Sequence, residues 1–496
     1  MSTYEQNIKQ LKETIKIQRY YGSINSLMAW DLWQGLPIDG RDYRQSVTGY
    51  FIKEASNLIK SNETKKLVEY FRELDDNRYE NIYDKAAARV LINKYDKAVK
   101  VPIELQIEMN NFTSTAQMAW KEALDKSDFN MYKPYIKKSF ELKAKVAEAI
   151  DNTKNPLDVL VDDVDEGLTV AKIDELFSEL KVAIIDILEK IRDKNETIDD
   201  SFLNVNIDKE NVKSICSHIV ENSFFDKNKG TYQEVLHPVL YGVGPRDVRV
   251  TTNYKRLIPC IFSMLHECGH GIYEYSGNDK VVEYSLYGGI SGTMHESQSR
   301  FYENLIGKSY EFWQYFYTFL QSEVNEFKNI DLDKFYNALN KVKPSLRRLD
   351  ADELTYNLHP IIRFEMEKEY FQGNLKTDDF YEAWNAKYKE YLGLEPKNAK
   401  EGVLQDVHWA SGHIGYFQSY TLGNVYGGQF RNKLLEAYPN VYKEISFGNF
   451  DSLNKWMYEN IHQYGNLYTP NDLVLKATGE EIKSKYFVDY LYKKFL

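Results

Sequence analysis

The chain has 496 residues, 43% of them hydrophobic, so it can bury a sizeable core, and its length alone suggests roughly two to four domains. The net charge of -11 argues against partners such as nucleic acid or an anionic membrane surface, because their phosphates need a basic face. Three cysteines are too few for a disulfide framework, and their odd number favours a reducing, cytoplasmic location.

The first half of the chain has the apolar spacing of amphipathic helices. Examples are Ile8, Leu11, Ile15 and Ile17, and later Ile173, Leu176, Leu180 and Ile184. Only 12 prolines and 26 glycines interrupt the chain, so long helices joined by short loops are expected. The charged N-terminus argues against a signal peptide, and no apolar run approaches the roughly 20 residues that span a bilayer. We therefore predict a soluble, mainly α protein.

One segment departs from the helical pattern. Residues Thr231 to Tyr254 are rich in Val, Thr and Tyr and are split by Gly242, Gly244 and Pro245, which predicts a strand, a turn and a second strand. Such a ribbon offers a free edge to which an extended peptide can add. Because no linker, low-complexity block or repeat interrupts the chain, we expect residues 1–496 to form one catalytic unit with two lobes around a cleft.

The next helical stretch, Ile258 to Tyr275, is apolar except for a group that includes His266, Glu267 and His270. Residues four apart on a helix lie about 40° apart around the axis and roughly 6 Å along it, so one ion can contact both imidazoles. Glu267 between them is placed to take a proton from a water molecule activated at the metal. Cys268 lies off the face of the histidines and is predicted to be a small core residue.

A catalytic metal site needs a third protein ligand. Glu274 is too far along the helix from His266 for all three side chains to converge. Glu296 begins a second helical segment that can cross the first, and it is the preferred third ligand, although a first-turn glutamate also fits the helix dipole. Spacing alone leaves Glu283 and Glu303 open.

Six spaced motifs then resemble those of the carboxypeptidase Taq family of zinc metallocarboxypeptidases. They are "HPV" at His237, "DVRVT" at 247–251, "HECGH" at 266–270, "HESQ" at 295–298, "RLDAD" at 348–352 and "GVLQDVHW" at 402–409. The "HESQ" motif carries the role of third ligand onto Glu296. Two positions depart from the family pattern: Val239 replaces a phenylalanine, and Gln418 stands where proline is expected.

The resemblance implies a large helical metallopeptidase fold with a deep substrate groove. Residues 1–230 would form one helical wall of that groove, and residues 231–496 would form the catalytic half. It also implies peptide substrates, a homodimer, and removal of amino acids one at a time from the C-terminus. The expected ion is Zn²⁺, with Co²⁺ or Mn²⁺ as alternatives.

The expected mechanism uses Glu267 as general base and then as proton donor to the leaving amine. Tyr420, His408 and Tyr416 are candidates to stabilise the oxyanion, and Tyr416 is also a candidate for contacting the substrate. Packed aromatic residues or a structural histidine would explain the same residue types.

Recognition of a free C-terminal carboxylate calls for a guanidinium, which makes a planar, two-pronged hydrogen bond. Arg348 is the first choice and Arg249 the second. The structural alternatives are pairing of Arg348 with Asp350 or Asp352, and pairing of Arg249 with Asp247. His237 and Asp406 are expected to orient ligands or hold the groove together.

Two other functions use the same sequence features. An endopeptidase or oligopeptidase could contain the same metal helix, and it would cleave peptides amidated at the C-terminus. A non-catalytic peptide-binding scaffold could keep the metal for stability alone, but such a protein would have no need of Glu267.

Overall fold

The computed structural model describes residues 2–235 and 239–496, so His237 lies outside the described residues. Within these ranges the chain forms 21 α-helices and one three-stranded sheet, which confirms the mainly α prediction. In the same ranges, no helix is long and apolar enough to cross a membrane.

The first nine helices precede the sheet. The first of them begins with a capping box, in which Ser2 accepts from the backbone N–H of Glu5 and the Glu5 carboxylate accepts from that of Ser2. The nine are α1 (Thr3–Gln34), α2 (Arg41–Ile59), α3 (Asn62–Arg72), α4 (Ile82–Lys100), α5 (Ile103–Lys126), α6 (Phe129–Ile150), α7 (Pro156–Val164), α8 (Val170–Glu196) and α9 (Lys209–Glu221).

The apolar stripes predicted for this half are largely buried. Ile173, Leu176, Leu180 and Ile184 are all buried on α8. On α1, Leu11 and Ile15 are buried, whereas Ile8 and Ile17 are only partly covered.

The sheet contains one strand more than the sequence predicted. Strands β2 (Val239–Gly244) and β3 (Asp247–Thr252) form the expected antiparallel pair, with a register shift between Gly242 and Gly244. Strand β1 (Gly230–Glu234) pairs in parallel with β3, which gives the order β1-β3-β2. Parallel pairing joins strands that no tight turn connects, so local sequence signals do not reveal it.

The remaining helices follow the sheet, and a π-helical segment (Phe301–Ile306) continues directly from α12. They are α10 (Leu257–Tyr275), α11 (Asp279–Glu283), α12 (Gly292–Arg300), α13 (Tyr310–Glu323), α14 (Leu332–Leu339), α15 (Leu358–Phe371), α16 (Phe380–Leu392), α17 (Gln418–Ala437), α18 (Val441–Ile445), α19 (Asp451–Asn460), α20 (Pro470–Thr478) and α21 (Lys485–Phe495).

Two hydrophobic cores lie inside this arrangement. The larger one joins helices from both halves of the chain, from Ala116 on α5 to Leu491 on α21. A smaller core under α1 to α4 also contains Tyr284 and Leu467 from the second half. Both cores therefore draw residues from either side of residue 230.

Candidate active site

Close helix packing brings helix α10, which carries the two histidines, and helix α12, which carries Glu296, together. A Cβ atom on Gly269 would lie 2.9 Å from both the Gln298 carbonyl oxygen and the Ser299 Cα. On α17, a Cβ on Gly423 would lie 2.6 Å from the Cβ of Glu296. Both separations are shorter than real side chains allow, so glycine at these two positions lets α12 lie directly between α10 and α17.

This packing brings His266, His270 and Glu296 together, as the sequence predicted. One ligand atom of each lies within 4.8 Å of the others. Each histidine Nε2 is 3.9 Å from a different oxygen of Glu296. Protein ligands contact zinc at about 2.0–2.2 Å, so atoms at this separation can contact one ion between them. Two imidazoles and a carboxylate are also a ligand set of catalytic zinc sites, and the residues therefore fit a divalent metal.

A hydrogen bond from His266 fixes which of its nitrogens is free. Its Nδ1 lies 2.8 Å from an oxygen of Glu303, so Nδ1 donates to that carboxylate and Nε2 is the nitrogen that faces Glu296. Burial alone would raise the pKa of Glu303, but Arg300 and His266 lower it to about 2. Glu303 is therefore ionised and orients His266 from behind.

His270 is oriented through a second histidine. Its Nδ1 lies 3.3 Å from Nδ1 of His295, and Nε2 of His295 lies 3.2 Å from a Glu274 oxygen. The two Nδ1 atoms are therefore in hydrogen-bond contact, which turns the other ring nitrogen of His270 away from His295. The Nε2 of His270 is thereby left free on the side of Glu296.

The structure distinguishes among the other glutamates considered as third ligand. Glu283 is half-exposed and pairs with Lys12 at 2.7 Å, away from the histidines. Glu303 contacts the outward-facing nitrogen of His266, and Glu274 contacts His295. Glu296 is the carboxylate that approaches the Nε2 atoms of both His266 and His270.

Glu267 is buried on the same helix, between the two histidines. Burial raises its pKa to about 7; His266 opposes this shift, and the negative charges of Glu296 and Glu303 add to it. The neighbouring Cys268 is fully buried, as expected for a core residue, and burial raises the pKa of its thiol.

Arg348 belongs to a buried charge network. Its Nε and Nη2 each lie 3.3 Å from Oδ1 of Asp406, and its Nη1 donates to the Tyr356 hydroxyl at 3.1 Å. The other oxygen of Asp406 accepts from Nε of Arg363 at 2.6 Å. Burial would raise the pKa of Asp406, but the two arginines hold it low. One carboxylate is shared by two guanidiniums, so the trio carries one net positive charge.

A third arginine, Arg300, connects this network to Glu296. The guanidinium of Arg300 lies 4.0 Å from the Tyr356 ring centroid, and its Nη1 donates to Glu303 at 2.9 Å. Its Nε lies 3.6 Å from an oxygen of Glu296. Arg300 and Arg348 thus contact the same tyrosine, one through its face and the other through its hydroxyl.

The oxyanion candidates form an aromatic cluster beside Arg348. Nε2 of His408 and the hydroxyl of Tyr420 are 3.0 Å apart, and the Arg348 guanidinium lies 4.8 Å from the Tyr420 ring. Tyr416 packs edge-on against Tyr420 at 5.5 Å. Burial lowers the pKa of His408 to about 3 and raises that of Tyr416 to about 12, so the imidazole is neutral and the phenol protonated.

Arg249 pairs with Asp247, which the sequence analysis gave as the structural alternative to a role in substrate binding. Asp247 accepts from its Nε at 2.6 Å and from its Nη2 at 3.0 Å, and its guanidinium lies 5.0 Å from the Trp30 ring. Arg348 pairs with neither Asp350 nor Asp352, the partners considered for it; Asp350 pairs with Arg347 instead.

The arrangement includes residues that were not singled out from the sequence, among them His295, Arg300 and Arg363. His295 immediately precedes Glu296, and Arg300 follows it by four residues, a spacing at which helix side chains meet. Their spacing from Glu296 is a local sequence signal that could have identified both residues. Arg363 on α15 carried none, because its partner Asp406 lies 43 residues further along the chain.

A mainly helical fold with two histidines, a glutamate facing them and a second, buried glutamate between them defines the class of the metallopeptidases. The family model for carboxypeptidase Taq (M32) metallopeptidases matches residues 10–495. Carboxypeptidase 1 of Bacillus subtilis is 36% identical over 99% of this chain and 98% of its own. Thermostable carboxypeptidase 1 of Pyrococcus furiosus is 32% identical over 99% of both chains.

Solved structures agree with these relatives. The M32 carboxypeptidase of Deinococcus radiodurans superposes with a TM-score of 0.94 at 30% identity, over 99% of both chains. A Pyrococcus furiosus carboxypeptidase gives a TM-score of 0.95 at 31% identity, again over 99% of both. The chain belongs to the carboxypeptidase Taq (M32) family. It is a metal-dependent carboxypeptidase that hydrolyses peptides from the C-terminus.

Proposed function

We propose that His266, His270 and Glu296 bind a Zn²⁺ ion, with Co²⁺ or Mn²⁺ as alternatives, and that Glu267 is the general base. The observation that carries this proposal is the pair of free Nε2 atoms, each 3.9 Å from one oxygen of Glu296. When bound, such an ion acts as a Lewis acid and lowers the pKa of water.

Glu267 accepts the proton of the attacking water and returns it to the leaving amine. A general base works best when its pKa lies near the working pH, and burial brings that of Glu267 to about 7. In this scheme Glu303 and the His295–Glu274 pair hold the two histidines in the tautomer that leaves Nε2 free.

The Tyr420 hydroxyl is the proposed donor to the oxyanion. Burial raises the pKa of Tyr420 well above its usual value, so the phenol keeps its proton. Nε2 of His408 forms a hydrogen bond with that hydroxyl. Tyr416, which packs against Tyr420, is the proposed contact to the substrate.

Arg348 is the proposed anchor for the terminal carboxylate. The net positive charge of the trio of Arg348, Asp406 and Arg363 supports this role, because a bound carboxylate would neutralise it. Arg249 is the weaker candidate, since Asp247 already binds it through two hydrogen bonds. In this proposal Asp406 holds the arginine in place, and His237 orients ligands or supports the groove.

We also propose a cytoplasmic homodimer. The three cysteines are free thiols, and two of them, Cys216 and Cys260, have sulfur atoms 3.4 Å apart without a disulfide. Thiols in contact are compatible with a reducing compartment. Dimerisation rests on the family resemblance.

The experiment that tests Arg348 compares kcat/KM for matched peptides ending in a free acid or an amide. Arg348→Ala should lower kcat/KM for the acid by roughly 10- to 100-fold, the effect of losing a charge-assisted hydrogen bond. Arg348→Lys should restore part of that loss, because lysine keeps the charge but not the planar fork. Amidated peptides should be poor substrates of the wild type, and the Arg348→Ala substitution should affect them little.

Arg347→Ala is the matched control, since Arg347 is the preceding residue and its exposed side chain pairs with Asp350. In Arg348→Ala, Asp406 keeps its ion pair with Arg363, so no buried carboxylate is left without a partner. Equal losses for acid and amide peptides would assign Arg348 a structural role. Efficient cleavage of the amide by the wild type would favour the endopeptidase function.

A further inference from the structure

A cavity lies beyond the end of the π-helical segment, between α17 and α21. Its volume is about 330 Å³, and the residues that line it do not include those assigned above to the metal, the base or the terminal carboxylate. Its charged lining residues are Lys308, Glu311, Arg431, Lys493 and Lys494. Four cations and one carboxylate give this cavity a positively charged lining, although the chain has a net charge of -11.

Arg431 on α17 is the arginine of this cavity. Its Nε donates to the Tyr442 hydroxyl at 2.8 Å, and its guanidinium lies 4.9 Å from the Tyr442 ring and 5.0 Å from the Tyr490 ring. Across the described ranges, Tyr442 is the one residue that hydrogen-bonds this guanidinium. The terminal nitrogens of a partly buried, sterically fixed arginine are therefore free to bind a ligand.

The lysines divide into one paired and two unpaired side chains. Nζ of Lys494 binds Glu353 at 2.6 Å and the Lys308 carbonyl oxygen at 3.2 Å, so its charge is compensated. Among residues 2–235 and 239–496, neither Lys308 nor Lys493 has a carboxylate within 4.0 Å, and Nζ of Lys308 lies 5.2 Å from the ring of Phe262. Three cations, Lys308, Arg431 and Lys493, have no carboxylate partner. The negative charge of Glu311 offsets one of them, so the cavity keeps an excess of two positive charges.

We propose that this cavity binds a phosphate dianion, free or as the ester of a small molecule. An arginine fork matches two phosphate oxygens, and lysines add point charges around the third. The volume falls at the lower end of the range of about 300–1,000 Å³ that is usual for small-molecule sites, and tyrosine rings form part of the wall. None of the residues that line the cavity is assigned to the hydrolytic site, so the proposal goes beyond the hydrolytic function and does not depend on it.

Calorimetric titration of the metal-loaded enzyme tests the proposal, with inorganic phosphate and phenyl phosphate as separate probes at constant ionic strength. At least one probe should bind saturably with a stoichiometry of one. Arg431→Gln should weaken that binding about tenfold or more, since it removes a charge-assisted fork. Tighter binding of phenyl phosphate would identify an ester as the ligand class, whereas equal binding would identify phosphate itself.

Two further variants make the result independent of folding defects in Arg431→Gln. Lys493→Gln changes an exposed side chain and should weaken binding by a smaller factor with an unchanged melting temperature. Lys433→Gln, on the same helix but paired with Glu436 at 2.9 Å, should leave binding unchanged. The proposal is wrong if neither probe saturates, or if Arg431→Gln and Lys493→Gln both bind as the wild type does, which would place the phosphate elsewhere, for example at the catalytic metal.

Discussion

Glu267→Gln should keep its metal and lose most of its hydrolytic activity. The substitution removes the proton acceptor but none of the three proposed ligands, and a positioned general base contributes about 100- to 10,000-fold to a rate. Glutamine has almost the same shape as the buried glutamate that it replaces, so folding should be preserved. The measurement is kcat on a free-acid peptide, together with metal content by elemental analysis of the same sample.

Glu283→Gln provides the comparison, because Glu283 is a half-exposed glutamate that pairs with Lys12 at the surface. It should retain both metal and activity. Near-normal turnover by metal-loaded Glu267→Gln would remove this residue from the mechanism.

Removal of a proposed ligand should have the second large effect. Glu296→Ala, like His266→Ala or His270→Ala, should purify with strongly reduced metal, because only two of the three protein ligands remain. Activity should fall with metal content and should recover in part when excess metal is added. The measurement is metal stoichiometry and affinity, determined by competition with a chelator.

Glu303→Gln separates ligands from the residues that orient them. Glu303 contacts the outer nitrogen of His266, so its substitution should weaken metal affinity by about 10- to 100-fold without abolishing binding. If Glu296→Ala retained stoichiometric metal while Glu303→Gln lost it, the two assignments would have to be exchanged.

Much of the group formed by His266, His270 and Glu296 could be predicted from the sequence, because the spacing that indicates it is local. The four-residue spacing of His266 and His270 is a property of one helix, and Glu296 follows on the next long helical segment. The glycines that allow this close packing are visible in the sequence, but their role is not. Gly269 stands inside "HECGH", yet its role depends on its contact with Gln298 and Ser299, which only the fold reveals.

The charge network around Arg348 could not be predicted in the same way. Nearby aspartates offered local partners, but Asp352 instead accepts from the backbone N–H groups of Leu354 and Thr355 in a turn. The actual partner, Asp406, lies 58 residues away and is shared with Arg363 from a third segment. Burial makes this pairing obligatory, because a carboxylate so enclosed needs compensation that local sequence does not specify.

The two residues that depart from the family pattern each take part in a hydrogen bond. Gln418 begins α17 at a position where proline is favoured, and it is fully buried with its amide donating to the Gly415 carbonyl. Val239 begins β2, where its backbone N–H donates to the Thr251 hydroxyl and its side chain is exposed. The backbone course at both positions is therefore fixed by hydrogen bonds.

The most direct test of the account is mass spectrometry of one peptide, offered with a free or an amidated C-terminus to the metal-loaded enzyme. We expect the free-acid peptide to shorten one residue at a time from its C-terminus, and a chelator to stop the reaction. The amidated peptide should remain largely intact. Internal fragments from both peptides would contradict recognition of the terminal carboxylate. Shortening that continues after complete removal of the metal would contradict a metal-dependent reaction.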